Sequence, residues 1–193
     1  MAYLCDITYK CVGDSEEVES LYKILEDLRQ EQESSNDYLG KGWLGHLVNA
    51  LGGNAEKEEC RGEIVDFNLT DNIVTIWQST KWCEQEDVRK NIERKFPSIK
   101  VYYMEEEPDC CIFYINDAEG DFFPARYRLE MFDNDESPNY FTTIEEAAES
   151  ISEFVGIQVE PTKKAIEKAL DEYIERDSKD AWYSFNEFTI VES

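Results

Sequence analysis

Apolar and polar residues alternate from the first strand-length segment of the chain. Tyr3, Cys5, Ile7, Tyr9 and Cys11 share one side, and Asp6, Thr8 and Lys10 share the other. A period of two predicts a half-buried strand over residues 3–12. The period then changes. Val18, Leu21, Leu25 and Leu28 recur at helical spacing, and Asp14 stands three residues before Glu17 as a capping-box-like pair. A helix running to about residue 31 follows. Residues 31–61 break the rhythm. A polar run through Ser34-Ser35-Asn36 leads to Gly40-Lys41-Gly42, then to Trp43, Leu44, Leu47, Val48 and Leu51, closed by Gly52-Gly53. This reads as an insertion carrying one short amphipathic helix.

Residues 62–78 predict a hairpin. Val65, Phe67 and Leu69 alternate with Asp66 and Asn68, Thr70-Asp71-Asn72 makes the turn, and Ile73 to Trp77 returns. Val88, Ile92 and Phe96 mark a helix over 84–95 that Pro97 stops, and Ile99 to Met104 makes another strand. The order β-α-(insertion)-β-β-α-β predicts an α+β fold with a ferredoxin-like core, in which two helices cover one face of an antiparallel sheet. Residues 1–104 form this core, with the insertion at 31–61, and 105–193 extend it within a single domain, 1–193.

The extension reads as further strands at 110–115 and 123–132, joined by a turn at Asn116 to Asp121. Two helices and a last strand through Phe185, Phe188 and Ile190 follow. The first helix opens on a capping box, Thr143-Ile144-Glu145-Glu146, and its apolar face is Ile144, Ala147, Ala148, Ile151 and Phe154. Pro161 suits the first turn of the second helix, whose stripe is Ile166, Leu170, Tyr173 and Ile174.

Several stretches fit one family together. These are Thr80-Lys81-Trp82, Lys95-Phe96-Pro97-Ser98-Ile99-Lys100-Val101-Tyr102-Tyr103, Glu106-Glu107-Pro108, Asn116-Asp117 and Phe123-Pro124-Ala125-Arg126-Tyr127. Over residues 1–130 the chain resembles the YubB-like ferredoxin-like domain of phage- and plasmid-borne bacterial proteins. The first strand departs from it, with Leu4-Cys5-Asp6 where that family has a Trp-Cys-Asn-like run. The resemblance implies a ferredoxin-like fold and a mobile-element setting, and it brings no catalytic residues.

Charge narrows the partners. Lys plus Arg number 19 against 44 Asp plus Glu, a net of −25. Such a chain repels nucleic acid and acidic membrane surfaces and favours a basic protein partner. With aromatics at 13% it is a folded protein with an acidic surface. The charge is uneven. Residues 101–160 hold 16 acids and only Arg126 and Arg128 as bases, so 2 − 16 = −14 of the excess lies there. Within that stretch Glu145, Glu149 and Glu153 recur at i, i+4 and i+8, an acidic ridge opposite the apolar face of their helix. Glu105, Glu106 and Glu107, with Asp109, form the densest run and read as a solvated loop at a strand end.

Candidate chemistry is sparse. The six cysteines show no CxxC spacing, and His46 lies 14 residues before Cys60, so no zinc set converges. Reduced, mostly buried thiols are expected, with Cys110 and Cys111 on opposite faces of a strand. The start lacks a secretory signal and no apolar run approaches bilayer length, so a cytoplasmic location is expected. No cofactor, metal or catalytic residue is assigned. The expected function is that of a non-enzymatic accessory protein acting through protein contact, with Glu145, Glu149, Glu153, Glu105, Glu106, Glu107 and Trp82 as candidate contact residues. One alternative is an acidic decoy that mimics DNA to inhibit a DNA-binding protein. The other is a small-ligand or enzymatic module with a pocket not visible in the sequence.

Overall fold

The computed structural model describes residues 4–34, 40, 42–132, 137–177 and 182–192. Tyr3, the polar run at 35–39 and Lys41 lie outside the described residues. The protein is mixed α+β, and its chain forms two compact units, Met1–Asp117 (joined by Glu192 and Ser193) and Ala118–Val191.

In the first unit the elements are β1 (Leu4–Val12), α1 (Ser15–Ser34), α2 (Leu44–Ala50), β2 (Gly62–Thr70), β3 (Ile73–Lys81), α3 (Glu86–Lys95), β4 (Lys100–Glu107) and β5 (Ile112–Ile115). The strands lie in the order β2-β3-β1-β4-β5, and each neighbouring pair is antiparallel. Tyr9 of β1 stands opposite Ile76 on one side and Tyr103 on the other. The alternation read from the sequence therefore buries Cys5, Ile7, Tyr9 and Cys11 together. Val18, Leu21 and Leu25 of α1, Leu44, Leu47 and Val48 of α2, and Val88 and Ile92 of α3 complete this core. Each such side chain taken fully out of water contributes roughly 1.5–3 kcal/mol, before the entropy cost of ordering it. The β2–β3 turn has Asp71 at φ 53° and Asn72 at φ 62°. Two left-handed residues match the right-handed twist of the flanking strands, and Asx residues tolerate that conformation best.

Three local expectations change. Glu17 does not close a capping box at the start of α1. Its carboxylate accepts from Ser98 N at 2.8 Å and Ser98 Oγ at 2.6 Å, which ties the helix to the α3–β4 turn. The strand expected to end at Met104 continues to Glu107, because β5 pairs with its last four residues. Asn116, expected in a turn, is buried: Tyr103 N donates to its Oδ1 at 2.6 Å, and its Nδ2 donates to Val101 O at 3.0 Å.

In the second unit the elements are β6 (Tyr127–Phe132), β7 (Asn139–Phe141), α4 (Ile144–Val155), α5 (Lys163–Asp177), β8 (Trp182–Glu187) and β9 (Thr189–Ile190). The small sheet runs β7-β6-β8, antiparallel throughout. Leu129, Phe141, Ala147, Ile151, Ile166 and Leu170 form its core, and Tyr127 stacks on Phe185 at 5.9 Å. The helix α5 is capped by Thr162, whose Oγ1 accepts from Ala165 N at 3.2 Å. Pro161 thus stands just outside the helix rather than in its first turn. Phe154, expected in the apolar face of α4, is 47% exposed and leans on Tyr173 at 4.6 Å.

Candidate functional site

The densest acidic run of the sequence is not a solvated loop. Once Glu105, Glu106 and Glu107 are strand residues, their side chains alternate. Glu105 and Glu107 share the buried side of Val101 and Tyr103 and are 3% and 2% exposed, while Glu106 is half-buried opposite Asp6. A buried carboxylate must be hydrogen-bonded or paired. Glu105 Oε1 accepts from Glu84 N at 3.0 Å and Cys5 Sγ at 3.5 Å. Glu107 accepts from Cys110 N and caps the 3-10 turn Pro108–Cys110.

Glu84 extends the network. Its Oε1 accepts from the Tyr9 hydroxyl and from Arg89 Nε at 3.2 Å, and Arg89 lies over the Tyr103 ring at 5.5 Å. Burial raises the pKa of both Glu84 and Glu105, outweighing the hydrogen bonds and, at Glu84, the guanidinium that favour the charged form. Burial, then the nearby carboxylates, pushes Tyr103 up to about 12 and also raises Tyr9 and Cys5. Burial also works against the Arg89 charge, but Glu84 and the other negative groups outweigh it and its pKa rises. Arg89 thus pairs with the buried Glu84 and also reaches the exposed Glu86 at 3.6 Å, while Glu105 has no cation of its own among these contacts. The Glu84 and Arg89 side chains are only 7% and 10% exposed, and the cluster ties β1, β4 and α3 together. Tyr9, Glu84 and Arg89 were not singled out as a group in the sequence, because they meet only once the strands are in register.

Trp82 is 54% exposed with a left-handed backbone, φ 73°, and Arg61 lies 5.4 Å from its ring. Trp43 instead packs, donating Nε1 to Cys60 O at 3.1 Å and meeting His46 edge-on. Cys5, Cys11 and Cys60 are buried, whereas Cys83, Cys110 and Cys111 are exposed. Cys110 and Cys111 sit in the β4–β5 turn, Cys111 left-handed at φ 55°, and not on a strand as expected. Among the described residues no group of three or more His, Cys, Asp or Glu side chains is placed to hold a metal ion. No helix of the described residues is long and apolar enough to cross a membrane.

The ridge Glu145, Glu149 and Glu153 lies far from that buried cluster in character. All three are exposed, and all three line an open groove of about 620 Å³ together with Ala148, Ser152, Gly156, Ile157, Val159 and Pro161. The sequence builds this groove step by step. Thr143 Oγ1 accepts from Glu146 N at 3.1 Å and starts α4. Glu146 returns chiefly to Thr142, accepting from its N at 2.7 Å and its Oγ1 at 2.8 Å, and these bonds, with a lesser backbone contribution from Thr143, lower the Glu146 pKa. Gly156, at φ 75°, ends the helix. Ser152 Oγ donates to Ala148 O at 2.6 Å and accepts from Val159 N at 2.9 Å, which folds the α4–α5 connector back as the second wall. Val159 is 7% exposed and anchors that wall in the core. The result is three carboxylates in a row above a floor of small and apolar groups.

No family model matches the chain. No curated protein matches it. Among solved structures, an unknown protein from Galdieria sulphuraria aligns with 96% of this chain and 98% of its own, at 9% identity and a TM-score of 0.26. A similarity at that level carries no argument about fold or function.

Proposed function

We propose that the protein is a non-enzymatic accessory protein that binds a basic segment of a protein partner in the groove along α4. The observation that carries this reading is the alignment of Glu145, Glu149 and Glu153 along a groove floored by small and apolar groups. Three like charges at i, i+4 spacing cost an isolated helix on the order of 0.2–0.5 kcal/mol per pair, and a cationic partner would relieve that cost. Trp82 and the half-buried Glu106 stand as secondary contact candidates. Glu105 and Glu107 are withdrawn from that role because they face inward.

The order β2-β3-β1-β4, with α1 and α3 in the crossovers, supports a ferredoxin-like reading of the first unit. A phage or plasmid origin, resting on the YubB-like resemblance alone, and a cytoplasmic setting are part of the same proposal. The DNA-mimic alternative is weaker. Glu145 to Glu153 spans about 12 Å of helix, over which a duplex presents about seven charges, more than twice what the ridge offers. A basic peptide segment needs no such density.

The test compares affinity captures from bacterial lysate by the wild type and by a triple E145Q/E149Q/E153Q variant. Basic proteins held by the wild type at about 50 mM salt and released near 300 mM should be absent from the variant. Recovery of the same proteins by the variant would sink the reading.

A further inference from the structure

Resting on the reading of the α4 groove as a protein-binding site, we infer that its occupant is a polarised segment. Basic residues lie along α4, and an apolar residue follows in a second groove on the far side of the connector. That second groove, about 400 Å³, is lined by Ile157, Val159, Ala165 and Ala169, with Lys164, Lys168, Glu160 and Glu172 at its rim. Ile157, Gln158 and Val159 line both grooves, so the two are one surface divided by a crest, and Ile157 on that crest is 51% exposed.

The charge changes across the crest. On the α4 side three carboxylates face the groove and no basic residue lines it. On the α5 side two lysines balance two glutamates, and Lys168 already pairs with Glu172 at 3.6 Å. A lysine carried over the crest would put three ammonium groups against two carboxylates and lose most of its attraction. An apolar side chain placed there instead covers Ile157 and the half-buried Ala165, removing their surface from water. Complementarity is thus directional, positive toward α4 and apolar toward α5. The crest is preset: Gly156 turns the chain, Ser152 holds Val159 N, and Val159 is buried. A second copy of this chain does not fit, because it would bring further negative charge to a protein of net −25.

Fluorescence anisotropy with three synthetic peptides tests this. One carries lysines followed by leucines, one is its scramble, and one has lysines throughout. The blocked peptide is expected to bind about tenfold more tightly than its scramble, a difference of about 1.4 kcal/mol. Ile157→Asn, at an exposed position and without a change of charge, should erase that preference, with circular dichroism confirming the fold. Equal binding of blocked and scrambled peptides, both weakened by E145Q/E149Q/E153Q, overturns the polarity and leaves the acidic groove standing. Binding of all three peptides undiminished in the triple variant, or no binding of any up to about 1 mM, overturns the proposed function and this inference with it.

Discussion

Glu105 shows how one position changes meaning between sequence and structure. As part of an acidic run it counts toward surface charge. As a buried strand residue beside Glu84, Cys5 and Glu107, it is a carboxylate whose charge is disfavoured. A folded-state pKa raised above the ordinary 4.5 means that the folded protein holds a proton the unfolded chain releases. The stabilising contribution is full below about pH 4.5 and is lost as pH rises through the folded value. Glu105→Gln keeps the acceptor for Glu84 N without the charge. It should match the wild type near pH 4.5 and exceed it at neutral pH by on the order of 1 kcal/mol, as read from urea denaturation at the two pH values. Arg89→Met acts in the opposite direction. It strands Glu84 without its cation, and removing one partner of a buried pair costs roughly 3–5 kcal/mol. The loss should be largest at neutral pH and shrink in acid, where Glu84 takes up a proton. Equal losses at both pH values would show that Arg89 serves packing alone.

At the scale of elements, α4 carries the site and its two ends decide its geometry. Thr143→Ala removes the oxygen that accepts from Glu146 N and should cost about 1 kcal/mol in chemical denaturation. Gly156→Ala meets no atom within 4 Å of the new Cβ, so its cost, about 1 kcal/mol, comes from the left-handed backbone alone. A much larger loss at Gly156 would mean that the connector repacks. These elements were legible in the sequence because local chemistry and periodicity agree there. The capping box at Thr143, the alternation over β1 and the Asp71-Asn72 turn each have one physical solution. The β4 end is harder to read because a run of carboxylates resembles a solvated loop, although Glu105 and Glu107 stand in step with Val101 and Tyr103. Phe154 was misplaced because helical spacing predicts a face but not how wide the neighbour covering it is. The groove itself was half legible. The ridge followed from spacing, but the opposite wall depends on the Ser152 contact to Val159, which lies beyond the end of α4 at Gly156, where helical spacing no longer applies.

For the whole molecule the governing quantity is a net charge of −25 over 193 residues. Self-repulsion at that level opposes the compact state, and added salt screens it over a Debye length that falls from about 30 Å at 0.01 M to about 10 Å at 0.1 M. The melting temperature should therefore rise with sodium chloride over this range, whereas binding of a basic segment to the α4 groove should weaken, because the same ions screen attraction between the partners. The two effects share a cause and differ in sign, which separates them from a general salt effect on hydrophobic burial. The triple E145Q/E149Q/E153Q variant tests the link. Removing three negative charges from one ridge should raise the melting temperature most at low salt and flatten its rise, while abolishing the salt-sensitive part of binding. Calorimetry and anisotropy on the same preparations read both. If the variant keeps the full salt dependence of stability yet loses binding, the repulsion resides elsewhere on the surface and the ridge acts on the partner alone. If it loses the salt dependence yet binds as before, the ridge is a source of strain and the groove is not the site.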